Sequence, residues 1–329
     1  MSASSESPPR QARPWLGLVL FLIGLALFVW LLERLNLEGR DIRDAFGRVG
    51  WWFGAILALT LVRFGVRATA WLALANARVP LVSATAATIA GDALGNVLPV
   101  GLVASEPAKA VYLRRFASPD TLLASLAAEN FFYSVSVALY VILATSAMLV
   151  GYPNLDRDVY LAGQIALAGM GAVLVAALWL VWWQPAAASA AAARVPIAKV
   201  RTLVERIRQL ETNAYAAVSA GGWRLGLVVV CETAFHVLSL IECWLTFWLL
   251  TGVTSIVPAL VYDGFNRVVN IVAKPIPGRM FVEEGGTAAL ARALGYDPAS
   301  GFLLAVIRKI RMLVFAAIGL ALWARRQRA

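Results

Sequence analysis

The chain is short of almost everything that builds a soluble catalytic site. Among its 329 residues there is one histidine, His236, and there are two cysteines, Cys231 and Cys243, both inside a single apolar run. Cysteines so placed form neither a disulfide framework nor a zinc site, and with one histidine beside them no metal or other cofactor is expected. Charged residues make up 15% of the chain, against about 25% in a typical soluble domain. No glycine-rich stretch is followed by GKS or GKT, so a phosphate-cradling P-loop is lacking. Acids are scarce relative to bases, 19 against 29, for a formal net charge of +10. In a soluble protein that excess would point to nucleic acid. Here the bases gather in the connections between apolar runs, the pattern of the positive-inside rule and of anionic lipid surfaces, so membrane lipid is the expected partner and nucleic acid is not.

What the chain has instead is apolar surface. Hydrophobic residues account for 60% of it, and the mean hydropathy is +0.74. A water-soluble domain of this length needs a more polar exterior; a bilayer-embedded one does not. The expected fold class is therefore all-α and polytopic. Runs near the roughly 20 residues that cross hydrocarbon occur at 15–32, 51–76, 121–150, 159–183, 223–251 and 301–323. The first is followed directly by Glu33-Arg34 with no small-residue cleavage site, and reads as a retained span rather than a signal peptide. Two further runs, 82–98 and 256–273, are short and broken by glycine and proline.

Treating those two as re-entrant elements gives six full spans and a consistent charge asymmetry. The N-terminus, the Arg114-Arg115 connection, the basic segment around 194–208 and the arginine-rich C-terminus then share one face, where the positive-inside rule expects cytoplasm. The abundance of alanine and arginine fits a GC-rich bacterial source, hence an inner-membrane protein. The organisation expected is a tail at 1–14, a first span and amphipathic connection at 15–50, a first repeat at 51–150, a linking span and basic segment at 151–221, a second repeat at 222–324 and a basic tail at 325–329.

The repeat is read from order and spacing. GNVLPVGLVASEPAKA carries Asn96, Pro99, Gly101 and Glu106; NIVAKPIPGRMFVEEGGTAA carries Asn270, Pro275, Pro277, Gly278, Glu283 and Glu284. Each stretch leads to a proline, Pro119 or Pro298, that opens a long span with a charge ten residues in, Glu129 or Arg308. Each follows a span with polar residues near its midpoint, Arg63 and Arg67 in one, Glu232 and His236 in the other. One span between the copies places them in opposite orientations, the inverted-repeat plan with broken helices that many secondary transporters use.

Charges buried in hydrocarbon cost about 3 kcal/mol each on insertion scales. A set as large as Arg63, Arg67, Glu106, Lys109, Glu129, Glu232, His236, Glu242, Lys274, Glu284 and Arg308 therefore reads as helix-locking ion pairs or as the lining of a polar cavity. The backbone freed at Pro99, Gly101, Pro275, Pro277 and Gly278 must line such a cavity or pack inside protein, because lipid cannot satisfy its amides. His236 is by default a packing residue; with Glu232 one turn earlier it is a candidate proton relay.

At these residues the chain resembles the flippase-like family, also described as the lysylphosphatidylglycerol synthase transmembrane domain family. The resemblance rests on Arg67 with Trp71, on Asn96, Pro99, Gly101, Glu106 and Lys109, on Pro275, Pro277, Gly278 and Glu284, and on Arg308 in the last span. It departs where Lys109 stands for an arginine, where Arg279 and Phe281 replace glycines, and where Glu129-Asn130 replaces a Glu-Arg pair. A subgroup associated with hopanoid lipid loci is one place where so short a chain would sit. The resemblance implies a lipid flippase or transporter that is not an enzyme. An anionic headgroup would be held by Arg67, Lys109, Lys274 and Arg308, with Arg63 and Asn96 nearby, and Glu106, Glu129 and Glu284 would pair with these bases in the empty state. The alternative is a non-transporting accessory of a lipid-modifying enzyme. An aminoacyl-lipid synthase fits less well, since no soluble transferase domain follows the last span.

Overall fold

The computed structural model describes residues 39–75, 77–97, 101–183, 212, 222–272 and 282–328. The expected first span, the basic 194–208 segment, Lys274 and the hinge residues Pro99, Pro275, Pro277 and Gly278 lie outside them. Every described element is an α-helix: α1 Gly39–Val49, α2 Trp52–Ala75, α3 Leu81–Val97, α4 Gly101–Tyr112, α5 Pro119–Gly151, α6 Arg157–Trp183, α7 Trp223–Thr251, α8 Ile256–Val272, α9 Val282–Ala293 and α10 Pro298–Arg328.

Four of these, α2, α5, α6 and α7, are long and apolar enough to cross a membrane. The 31-residue α10 is longer than most of them, but Arg308, Lys309 and Arg311 interrupt its apolar character. α3 and α8 have 17 residues each, about 25 Å of helix, and α4 and α9 have 12 each, about 18 Å. None of these four alone spans the roughly 30 Å hydrocarbon layer.

Local chemistry sets the starts of the two charged long helices. Ser118 caps α5, its Oγ accepting from the Thr121 amide at 3.2 Å with Pro119 in the first turn. Asp297 does the same for α10, accepting from the Ala299 amide at 3.1 Å ahead of Pro298. An oxygen acceptor followed by proline is a strong helix start, because proline's missing N–H costs nothing there.

The helices interlock rather than stack in chain order. α2 lies along α7, α3 packs on both α4 and α10, and α8 packs on α5. α6 packs on α5 and leaves most of its surface facing outward. Three apolar cores result among the described residues: a small one joins Ala70 and Leu74 of α2, Ala128 of α5, and Val228 and Cys231 of α7, and two are larger. One joins Ala45 and Val49 of α1, Ile56 of α2, Phe247 of α7, Tyr262 of α8 and Phe302 of α10. The other, built from residues such as Ala68, Trp71, Ala84, Leu113 and Leu122, sits toward the opposite end of α2. Arg63 and Arg67 fall between Ile56 and Trp71 on the same helix, so the two cores bracket a polar layer.

Candidate functional site

The polar layer is a set of buried ion pairs that cross helix boundaries. On α2, Arg63 and Arg67 are one turn apart but turn to different neighbours. Arg67 Nε donates to Glu129 Oε1 of α5 at 2.9 Å, its Nη2 donates to Asn130 Oδ1 at 2.9 Å, and its guanidinium lies over the Tyr133 ring at 4.1 Å. Asn130, the departure noted above, thus supplies an acceptor where an arginine would repel. Arg63 Nη1 donates to Glu242 Oε2 of α7 at 2.9 Å and lies over Phe235. Glu242 is also bound by Arg311 of α10 and accepts from Thr60. One carboxylate therefore ties α2, α7 and α10 together.

Lys109 on α4 is 3% exposed and bridges Asp92 of α3 at 2.8 Å and Glu106 at 3.1 Å. Its path depends on Gly91, because a Cβ there would collide with the Lys109 side chain and come within 3.0 Å of Ser105 O. Arg67, Lys109 and Glu129 line one crevice together with Trp71, Thr88 and Leu126. Trp71 is fixed in that wall by its Nε1 donating to Ser125 Oγ at 2.9 Å.

On the other side of the layer Asp263 of α8 holds two arginines, Arg267 at 3.3 Å and Arg308 at 3.1 Å, and accepts from Ser239 Oγ at 3.0 Å. Arg267 Nη1 reaches Tyr133 OH at 3.5 Å, and its guanidinium faces the rings of Phe235 and Tyr140. Tyr133 thereby touches the α2 arginine and the α8 arginine at once. Glu283 and Glu284 of α9 converge on Lys309, at 3.2 and 3.5 Å. Glu232 and His236 do not bond each other; both meet Ser136 Oγ of α5, at 3.2 and 3.0 Å.

The pairings expected of Arg67 with Glu129 and of Lys109 with Glu106 are present. Arg308 and Glu284 find other partners, Asp263 and Lys309. Asn96 lies at the end of α3 and Gly101 opens α4. The residues that sequence reasoning left out are Asp92, Asp263, Arg267, Lys309 and Arg311. Asp263 and Arg267, an acid and a base one turn apart in an apolar segment, carried the same signal that singled out Glu232 with His236.

Five arginines, Arg63, Arg67, Arg267, Arg308 and Arg311, thus converge with four carboxylates, Glu129, Glu232, Glu242 and Asp263. Four of the five retain a buried N–H without a partner among the described residues: Nε of Arg63, Arg267 and Arg311, and Nη1 of Arg308. Buried unpaired donors of this kind are rare in proteins, and here they accumulate in one layer. No three acids, histidines or cysteines among the described residues are grouped to hold a metal ion.

The family model for the lysylphosphatidylglycerol synthase TM region matches residues 15–319. The chain belongs to that family. The match covers both broken elements and all of the charged layer, and it carries no assignment to the hopanoid-associated subgroup. No curated protein and no solved structure matched the chain.

Proposed function

We propose that this family member is a lipid transporter of the bacterial inner membrane, passing an anionic headgroup through the charged layer between two inverted halves, with both termini cytoplasmic. The observation that carries the reading is the cluster of five buried arginines, four with an N–H left to offer. Guanidinium groups desolvated in this way suit a phosphodiester, which accepts two N–H bonds in the same plane. A purely structural lock would pair each base with an acid and stop there.

The two-halves reading is supported by helix lengths and by packing. The first half runs 24, 17, 12 and 33 residues (α2 to α5) and the second 29, 17, 12 and 31 (α7 to α10). Packing is reciprocal: α3 of the first half lies on α10 of the second, and α8 of the second lies on α5 of the first. Arg326 near the end of α10 donates to Tyr112 O at the end of α4, which suits α3 and α4 entering and leaving by the face where the chain ends. Rocking of one half against the other would carry the headgroup between faces.

The test is a headgroup-accessibility assay in proteoliposomes, using labelled phosphatidylglycerol and a zwitterionic control lipid. Wild type is expected to move the anionic lipid. Arg67→Ala and Arg267→Gln, checked for folding, are expected to lose that movement. Absence of translocation of any lipid by folded wild type would refute transport and favour an accessory of a lipid-modifying enzyme.

A further inference from the structure

Every carboxylate described in the layer has a cation within salt-bridge distance except one. Glu129 has Arg67, Glu242 has Arg63 and Arg311, Asp263 has Arg267 and Arg308, Glu283 and Glu284 have Lys309, and Asp92 and Glu106 have Lys109. Glu232 on α7 is 5% exposed and has no such partner. Its Oε2 meets Ser136 Oγ at 3.2 Å, and its Oε1 has no partner among the described residues.

The surroundings explain why no cation turns to it. From α2, Arg67 is spent on Glu129 and Asn130, and Arg63 on Glu242. From α8, Arg267 is held by Asp263 and Tyr133. From α10, Arg308 and Arg311 serve Asp263 and Glu242. α5 brings Glu129, Tyr133, Tyr140 and the bridging Ser136, and α7 itself brings Cys231, His236 and Glu242. Of these, Glu129, Arg67 and Arg267 are close enough to act on Glu232 electrostatically. α1 packs at the far end of α7, around Phe247, and contributes no facing charge.

An ionised carboxylate buried without a cation paired to it is disfavoured, and a neutral carboxylic acid is not. Ser136 completes a path for the proton, since its hydroxyl lies within bonding distance of Glu232 Oε2, of His236 Nε2 and of the Tyr133 carbonyl. We propose that Glu232 is the proton-binding site of the charged layer, and that an anionic headgroup occupies the arginine cluster together with a proton on Glu232. The inference rests on the headgroup reading above. Its physical basis is charge balance: with Glu232 neutral, five arginines face three carboxylates, and the layer attracts an anion more strongly than when Glu232 is ionised.

Linkage fixes the sign and size of the effect. If binding the anion takes up one proton, affinity falls by as much as about tenfold per pH unit above the titration of the free site. The full chain in zwitterionic nanodiscs is titrated with short-chain phosphatidylglycerol over a pH series, with short-chain phosphatidylcholine and inorganic sulfate as controls. Neither the phosphodiester nor sulfate titrates in the range used, so any slope belongs to the protein. Wild type is expected to bind phosphatidylglycerol more weakly as pH rises, and Glu232→Gln to hold the tight value at every pH. A flat wild-type profile, or a slope retained in Glu232→Gln, overturns the proton site and leaves the headgroup reading intact. Sulfate binding as tightly as the lipid, with the same Glu232-dependent slope, supports the proton site and removes the lipid from the headgroup reading. Absence of binding by folded wild type at every pH overturns both.

Discussion

Glu242→Gln is the substitution whose cost the structure defines most sharply. Glu242 is 3% exposed and is the counter-charge for both Arg63 and Arg311. A glutamine there keeps the volume and a hydrogen-bonding oxygen but leaves two guanidinium groups buried without a carboxylate. Removing one partner of a buried pair costs about 3–5 kcal/mol, chiefly the penalty of the stranded charge. Arg311→Met is the informative contrast. It leaves Glu242 paired one-to-one with Arg63, so the loss is the charged hydrogen bond to Glu242 and the longer one to Thr60 Oγ1, about 1–3 kcal/mol in all. The double variant strands Arg63 alone, one charge fewer than Glu242→Gln, and should cost less than Glu242→Gln by itself. The assay is reversible unfolding in mixed micelles titrated with dodecyl sulfate and followed by tryptophan fluorescence. Helices persist in the unfolded state under those conditions, so the readout is loss of packing between α2, α7 and α10. A cost for Glu242→Gln below about 1 kcal/mol, or equal to that of Arg311→Met, would refute the claim that one carboxylate carries both arginines.

Two further outcomes follow from packing and topology. Gly319→Val should force α10 away from α3, because a Cβ at 319 would lie 2.5 Å from both Ala93 Cβ and the Ile89 carbonyl oxygen. Backbone cannot yield as a side-chain tip does, and a loss of about 1–3 kcal/mol in the same unfolding assay is expected. In a chain with Cys231 and Cys243 replaced by alanine, Ser118→Cys and Asn154→Cys should react with an impermeant thiol reagent from opposite sides of the membrane. Labelling of both from one side would break the two-halves reading, since α5 would then not cross.

Helix positions were legible because membrane spans are encoded by length and apolarity, which survive in a linear reading. The run at 223–251 coincides with α7, and α5 and α10 begin earlier than their apolar runs, at Pro119 and Pro298, because the caps at Ser118 and Asp297 extend them. The described helices end at Val97 and Val272, ahead of the glycine- and proline-rich stretches, and the next ones begin at Gly101 and Val282. Partner choice was less legible. Arg67 with Glu129 and Lys109 with Glu106 could be guessed from depth and spacing. That Arg308 would reach Asp263 on α8, and Glu284 would meet Lys309, depends on which helices cross, and hydropathy says nothing about crossing. Arg311 escaped notice although it lies three residues beyond Arg308, close to the same helix face.

On the proposed two-halves reading, three charged positions of the first half have charged counterparts in the second. Arg67 lies fourteen residues before the start of α3 and Glu242 fourteen before the start of α8; Asp92 is eleven residues into α3 counted from Leu81, and Arg267 eleven into α8 counted from Ile256; Glu129 and Arg308 each stand ten residues beyond the proline that opens their helix. At each of these positions the charge is reversed between halves. Elementary electrostatics accounts for the reversal if the halves are related by a two-fold axis running between α2 and α7. Residues near such an axis face their own counterparts, and like charges there would repel at low dielectric. Reversed charges do not repel there, and across the α2–α7 seam Glu242 pairs with Arg63, one turn along α2 from its counterpart Arg67. The reversal also leaves the halves chemically unequal, with the arginine at the α8 position and the aspartate at the α3 position. An anion crossing the layer would therefore meet arginines from both halves, Arg63 and Arg67 of the first and Arg267, Arg308 and Arg311 of the second, which is why Arg67→Ala and Arg267→Gln should each impair translocation.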